Sequence, residues 1–350
     1  MISRRRTRQV RVGGLKVGGG APVSIQSMTK TKTSDVARTI REINVLEEAG
    51  CEIVRVAVRD ASDAESIKKI KHRIRIPLVA DIHFHHRLAL KAIENGADKI
   101  RINPGNISKP DELSRIVKAA KARRIPIRIG LNSGSLPREG RESTVHSSQS
   151  TRFVSYALRY IKTFEEMDFR DIIISLKASD VVSTVEAYRG LAKACDYPFH
   201  LGVTASGLSK GGTIKSAIGI GALLLDGIGD TIRVSLTSSS LEEVSAARHI
   251  LSALGLRKFG PEIIACPTCG RCGVNLVDIV KEFEARVTPK DPAVKVAIMG
   301  CEVNGPGEAR DARIGIAAGK GCGVIFRNGK ILRKVREKDF VKELLKELRR

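Results

Sequence analysis

DKIRINPGNISKPDELSRIVKAAKARRIPIRIGLN, residues 98–132, decides the fold. It opens on a short β-branched run, crosses a turn rich in Asn, Pro, Gly and Ser, continues with apolar residues three and four apart, and closes on a second β-branched run. Strand, loop, helix and strand in that order make one step of a parallel sheet. The same rhythm extends outward on both sides. VSIQS (23–27), EIVRVAV (52–58) and PLVADIH (77–83) precede it, and DIIISLK (171–177), PFHLGVT (198–204) and DTIRVSL (230–236) follow, with helical stretches such as SDVARTIREINVLEEAG (34–50) between them. About eight such units predict a closed (β/α)8 TIM barrel over residues 1–255. The alternative, an open doubly wound sheet, calls for an early glycine-rich dinucleotide turn. GIGALL (219–224) lacks the third glycine and follows no strand.

GLRKFGPE (255–262) reads as a linker, and beyond it EIIAC, VKVAIMG, RIGIAAG and GVIFRNG predict short strands, with helices near 275–286 and 337–349. Residues 256–350 therefore form a small α+β domain, opened by the cysteine-rich segment ACPTCGRCG (265–273). The 350 residues are 42% apolar and 28% charged, and no apolar run reaches membrane length, so the chain reads as soluble. The longest apolar stretch, around IGIGALLLDG (218–227), is expected to be buried. The opening MISRRRTRQVRVGG lacks the apolar core of a signal peptide, which points to the cytoplasm. Arg4 to Arg6 read as a solvated arm.

A net charge of +23 fits either a nucleic-acid partner or anionic substrates and protein partners. With 4% aromatic residues and no Trp, stacking platforms for bases are poorly supplied. Placement favours the anionic substrate. In a barrel of this kind the βα loops at the strand ends build the active site. Arg55 lies in EIVRVAV, Asp81 and His83 end PLVADIH, Arg101 and Asn103 end DKIRIN, and Arg128 and Asn132 belong to IPIRIGLN; Lys177 ends DIIISLK, and Arg233 and Ser235 lie in DTIRVSL. Four arginines and a lysine around one mouth repel each other unless a polyanion binds, and guanidinium forks match phosphate oxygens. Taken singly, any of them also reads as an outward ion pair between strand and helix.

Seven cysteines in a cytosolic chain argue against disulfides, and Cys266, Cys269, Cys272 and Cys301 cluster in the last hundred residues. No His follows His249, so a zinc site would lack its usual companions; C-x2-C-x2-C is the front half of a bacterial iron–sulfur pattern, with Cys301 able to supply a distant ligand. Iron–sulfur is the favoured reading of that spacing and zinc the alternative. Cys51, Cys195 and Cys322 read as ordinary buried residues.

ACPTCGR, GCEVNGPGEA, ADIHF, RINPGNI, IRIGLNSGSL, KASD, IKSAIGIG and DGIGDTIRVSL together closely resemble the 4-hydroxy-3-methylbut-2-enyl diphosphate synthase family of the non-mevalonate isoprenoid pathway, over residues 4–350. The resemblance implies a barrel related to dihydropteroate synthase, a sulfite-reductase-like iron–sulfur domain, and a homodimer in which the cluster domain of one chain caps the barrel of the other. It implies two-electron reductive ring opening and dehydration of 2-C-methyl-D-erythritol 2,4-cyclodiphosphate, with ferredoxin or flavodoxin as donor. It further implies a [4Fe-4S] cluster held by Cys266, Cys269, Cys301 and Glu308. The diphosphate positions fall on Arg55, Arg101, Arg128, Lys177, Arg233 and Ser235, with Asn132 and Asn304 also at the site. A carboxylate corner is labile, so a substrate oxygen can displace it and meet iron directly. Two departures stand out. Ala205, in HLGVTASG, replaces a glutamate implied in proton transfer, which leaves as alternative a paralogue that binds the diphosphate without efficient turnover. Cys272 is an additional thiol, expected to stay free.

Overall fold

The computed structural model describes residues 2–103, 105–107, 109–132, 148–178, 180–204, 207–288, 291–301 and 312–350. These fall into two compact units, 1–257 and 258–350.

The first unit begins with an antiparallel hairpin, β1 (Val10–Val12) and β2 (Leu15–Val17), in which Val10 pairs Val17 and Val12 pairs Leu15. Eight parallel strands follow: β3 (Ser24–Met28), β4 (Ile53–Val58), β5 (Leu78–Ile82), β6 (Lys99–Ile102), β7 (Ile127–Asn132), β8 (Ile172–Lys177), β9 (His200–Leu201) and β10 (Thr231–Ile232). Each is followed by a helix: α1 (Val36–Glu48), α2 (Ala61–Lys71), α3 (His86–Glu94), α4 (Pro110–Arg123), α5 (Gln149–Glu166), α6 (Val181–Ala194), α7 (Ser209–Leu225) and α8 (Ser240–Ala253). The sheet runs β8-β7-β6-β5-β4-β3-β10-β9, and a parallel bridge between Ile174 and Phe199 closes it into a barrel. The (β/α)8 reading therefore holds, and four helix starts show why the chain turns where it does. Asp35, Asp60, Asp180 and Ser239 each accept a backbone N–H of the first turn of α1, α2, α6 and α8.

The hairpin went unread in the sequence because only three residues flank each side of Gly13–Gly14, too few for a period to show. Its valines Val10, Val12 and Val17 pack with Ile53, Val79 and Ile173, near the starts of β4, β5 and β8, and so stopper the barrel at the end opposite the βα loops.

Arg4 and Arg5 correct the solvated reading of the arm, while Arg6 is exposed as expected. Arg4 donates to Gly229 O at 3.1 Å and pairs with Asp230 at 2.9 Å, while Arg5 lies 4.1 Å over the Phe199 ring. The physical cause is Asp230, only 2% exposed, whose carboxylate needs a counter-charge. Burial holds the Asp230 carboxyl above its usual range, with the Phe199 N–H and Arg4 offsetting part of that. Arg4→Ala is expected to cost about 1–3 kcal/mol at neutral pH, measured by urea unfolding. A group that binds its proton more tightly folded than unfolded destabilises the fold once ionised. The deficit should therefore shrink as pH falls through the raised Asp230 value toward 3.8. A deficit independent of pH counts against this role.

The apolar stretch at 218–227 is likewise not wholly buried. α7 covers Gly219, Ile220, Leu223 and Leu224 but leaves Ile214, Ile218 and Leu225 more than half exposed.

In the second unit a five-stranded mixed sheet runs β11 (Glu262–Ala265), β12 (Lys295–Met299), β13 (Ile314–Gly319), β14 (Cys322–Arg327) and β15 (Lys330–Arg336). Helices α9 (Leu276–Arg286) and α10 (Phe340–Leu348) pack on one face through Phe283, Phe340, Leu344 and Leu348 against Val296, Ile298, Ile316 and Ile325. β15 was missed because KILRKVR is strongly basic and mostly exposed; its pairing to β14 through Asn328–Gly329, not burial, makes it a strand. Among the described residues no helix is long and apolar enough to cross a membrane.

Candidate functional site

Alternation along each barrel strand decides which side chains face inward. Residues 79 and 81 of β5, 99 and 101 of β6, and 173, 175 and 177 of β8 share the interior, so Arg101 and Lys177 enter the barrel. Register then aligns them: Asp81 stands opposite Arg101, Arg101 opposite Arg128, and Asn132 opposite Lys177. The reading of single arginines as outward ion pairs between strand and helix fails for Arg55, Arg101 and Arg128. Arg55, Arg101 and Arg128 are 6%, 5% and 1% exposed, inside the barrel.

Asp81 is the anionic hub. It accepts Arg101 Nη1 at 3.1 Å, lies 3.5 Å from Arg55 Nε and 3.6 Å from Nε2 of the half-exposed His83. Burial alone would raise its pKa, but Arg55, His83 and Arg101 outweigh that and hold it far below the carboxylate range. Arg101 Nη2 also reaches Gly130 O at 3.4 Å, and a Cβ at Gly130 would come within 2.6 Å of Arg101 Nε, so only glycine leaves room for the guanidinium. Arg128 donates Nη2 to Ser175 Oγ at 3.0 Å, while its Nε and Nη1 have no partner among the described residues. Arg233 lies 3.7 Å from Glu243 of α8, and the buried Ser235 hydroxyl is unpartnered among the described residues.

Crowded cations in a low-dielectric interior weaken one another. Burial lowers Arg55 to about 9, with Asp81 offsetting part of the shift. Arg128 and Lys177 are pushed well below their ordinary ranges by burial and then by neighbouring cations, Arg55 for Arg128 and Arg233 for Lys177.

Two interior residues escaped the sequence reading as members of this site. Lys99 is fully buried, with Nζ 3.4 Å from Gln26 Oε1, and His200 is fully buried with both ring nitrogens unpartnered among the described residues. Burial and then Arg128 depress both Lys99 and His200 well below their ordinary values. The signal was present: Lys99 shares the parity of Arg101.

In the second unit, Cys266 follows β11 and Cys301 comes two residues after β12; β11 and β12 are parallel neighbours, so both cysteines lie at the same sheet end. Gly300 N–H donates to Cys266 Sγ at 3.3 Å, and Gly273 N–H donates to Gly300 O at 3.0 Å, tying the cysteine loop to the end of β12. Cys269 is exposed, and hydrogen bonds from the Arg271 backbone and side chain lower its pKa, favouring thiolate. Cys272 turns toward the core, donating to Val274 O at 3.3 Å; its Sγ lies 2.4 Å from where a Gly300 Cβ would stand. Cys266 and Cys301 at one sheet end, the first held by an N–H···S contact, supply the thiol donors that iron–sulfur binding uses. Among the described residues no three of His, Cys, Asp and Glu stand together as a chelating group. Asn304, Glu308 and Ala205 lie outside the described residues.

Of the remaining cysteines, Cys51 is buried, which pushes its thiol up to about 12, whereas Cys195 and Cys322 are only half-buried because each sits at an element end.

Residues 7–248 match the GcpE TIM-barrel domain family and residues 262–350 the GcpE protein C-terminal domain family. The chain is 53% identical over 350 residues to the 4-hydroxy-3-methylbut-2-en-1-yl diphosphate synthase (flavodoxin) of Thermodesulfovibrio yellowstonii, covering 100% of both chains. It is 54% identical over 348 residues to the protein of that name from Anoxybacillus flavithermus, covering 99% of this chain and 95% of the relative. Among solved structures, dihydropteroate synthases from Xanthomonas albilineans and Yersinia pestis superpose with TM-scores of 0.52 and 0.51 at 13% and 11% identity. Each covers 71% of this chain, and 97% and 98% of the respective neighbour, a likeness of fold alone.

Proposed function

The chain belongs to the GcpE family, and from that premise we propose that the barrel mouth binds 2-C-methyl-D-erythritol 2,4-cyclodiphosphate for reduction to 4-hydroxy-3-methylbut-2-enyl diphosphate. The ring opens and one oxygen leaves as water, with two electrons and two protons consumed. The observation that carries this reading is the row Asp81, Arg101, Arg128 inside the barrel, together with Arg55, Lys177 and Arg233, whose excess positive charge matches a diphosphate. Arg55, Arg101, Arg128, Lys177, Arg233 and Ser235 hold the diphosphate, and Asn132 beside Lys177 orients the remainder. Asp81 keeps Arg55 and Arg101 aimed, so binding energy at the diphosphate positions the distant reacting carbon.

Cys266, Cys269, Cys301 and Glu308 hold a [4Fe-4S] cluster in this reading. When bound, such a cluster would supply the electrons and a Lewis-acidic iron for the reduction. Electrons come from flavodoxin, the donor in the names of the relatives. The protein works as a homodimer with the cluster domain of one chain over the barrel of the other. Ile214, Ile218 and Leu225 on α7 support a chain-to-chain contact, since an exposed apolar ridge on a soluble barrel asks to be covered.

Anaerobic reconstitution followed by turnover with reduced methyl viologen tests the reading. A brown protein that bleaches with dithionite and consumes the cyclic diphosphate is expected; a colourless, zinc-loaded protein sinks it. Mixing Arg128→Met chains with Cys266→Ser chains tests the capping: activity regained on mixing requires sites shared between chains, and its absence counts against them. Gly130→Ala, which displaces Arg101, should raise KM for the diphosphate about 10–100-fold with unchanged cluster absorbance.

A further inference from the structure

The β14–β15 edge of the second unit carries charge that neither the fold nor the diphosphate site uses. Between Lys320 and Arg336 there are six basic side chains and no acidic one. Arg327 and Arg333 are occupied within the unit, paired with Glu347 and Glu343 of α10. Lys320, Lys330 and Lys334 are exposed with no carboxylate partner among the described residues, and exposed Arg336 reaches Asp339 only at 3.9 Å. Ile331 and Leu332 stand among them, 69% and 44% exposed. β15 is the outer strand of its sheet, so the result is an apolar pair on a free edge, ringed by cations.

The Arg336 end of this edge lies beside the cysteines, and Lys330 and Ile331 lie toward its other end. A Cβ on Gly273, one residue past Cys272, would stand 3.3 Å from the Lys320 backbone nitrogen. Cys322 pairs with Arg336 across β14 and β15, and Glu337 N–H donates to Gly321 O at 3.3 Å. The sheet end that holds the cysteine loop therefore also holds Lys320 and Arg336, with Lys334 two residues back on the same face of β15.

We propose that this edge is the docking surface for an acidic, flavin-bearing electron carrier. The proposal rests on the flavodoxin-dependent reading above and adds where the carrier binds. Its reduced flavin is the reductant, oxidised by two one-electron transfers per turnover, and these are the two electrons the reaction consumes. A redox encounter of this kind is small and transient, steered by complementary charge with a few apolar contacts at its centre. Lysines on a flexible stem suit such steering, since they attract without fixing one geometry. A nucleic acid fits poorly: Phe326 of β14 and Phe340 of α10 are buried and offer no stacking surface. The structural alternative is that the lysines only keep an edge strand from pairing with other sheets.

The test compares Lys334→Glu/Arg336→Glu holoenzyme with the unmodified holoenzyme, using reduced flavodoxin and reduced methyl viologen as separate donors. Expected is a rise of about tenfold or more in KM for flavodoxin at low salt, a flattened salt dependence, and viologen turnover unchanged within about twofold. Equal flavodoxin KM and equal salt dependence overturn the proposal and leave the edge-protecting role. If viologen turnover falls too, the neutral pair Lys334→Gln/Arg336→Gln is measured in the same way, and a flavodoxin loss no greater than the viologen loss overturns it. If the unmodified enzyme turns over with viologen but takes no electrons from flavodoxin, the donor reading itself has failed and takes the docking surface with it.

Discussion

Arg128→Met is expected to lower kcat/KM for the cyclic diphosphate by about 10²–10⁴-fold while leaving the protein as stable as before or more so. The two effects have one cause. Arg128 is 1% exposed, donates once to Ser175 Oγ, and keeps Nε and Nη1 without a partner among the described residues. A buried cation so incompletely paired destabilises the empty barrel, and burial and Arg55 push its pKa down accordingly. An unbranched apolar side chain of similar length removes that strain. Under the proposed function it also removes two charge-assisted hydrogen bonds to the diphosphate, each worth about 1.5–3 kcal/mol. Thermal unfolding and steady-state kinetics with a viologen donor check both halves. A variant that melts earlier and keeps its kcat/KM would falsify the assignment, because Arg128 would then be a structural cation.

Ala205→Glu is the second large effect, with kcat rising about 10²–10⁴-fold. Residue 205 immediately follows Thr204 in the chain, and the resemblance implies a proton-transferring glutamate there. A methyl group cannot hold a proton, so the unmodified chain should bind substrate and reduce its cluster normally yet turn over slowly. Rapid mixing separates the steps: cluster reduction unchanged, product formation accelerated in the variant. Full activity in the parent with no gain in the variant defeats the idea and shifts attention to another proton carrier. His83 is then the first residue to replace, since it is half exposed just past the end of β5 and lies 3.6 Å from Asp81.

The barrel was legible because period two and period 3.6 are local properties. DKIRIN and IPIRIGLN read as strands without knowledge of anything else in the chain. What was not legible lay where pairing rather than burial makes the element. β15 looks like a basic loop until β14 supplies its partner, and the three-residue strands of the N-terminal hairpin are too short for any period. PFHLGVT and DTIRVSL shortened to two-residue strands, although Arg233 N–H still donates to Leu201 O at 2.9 Å and carries the ladder one step further.

By itself the sequence determined the (β/α)8 barrel, the small second domain, a set of basic strand ends and a thiol set too regular for a disulfide protein. All of these reside in spacing along the chain. Only the tertiary structure decided that Arg55 and Arg101 converge on Asp81, that Lys99 and His200 are buried in the same barrel interior, that Arg4 belongs to Asp230 rather than to solvent, and that Cys272 turns into the core while Cys269 stays exposed. Arg4 and Asp230 lie 226 residues apart in the chain and 2.9 Å apart in space. Partners so distant are chosen by packing and by the cost of burying a charge alone, and neither leaves a local trace in the sequence.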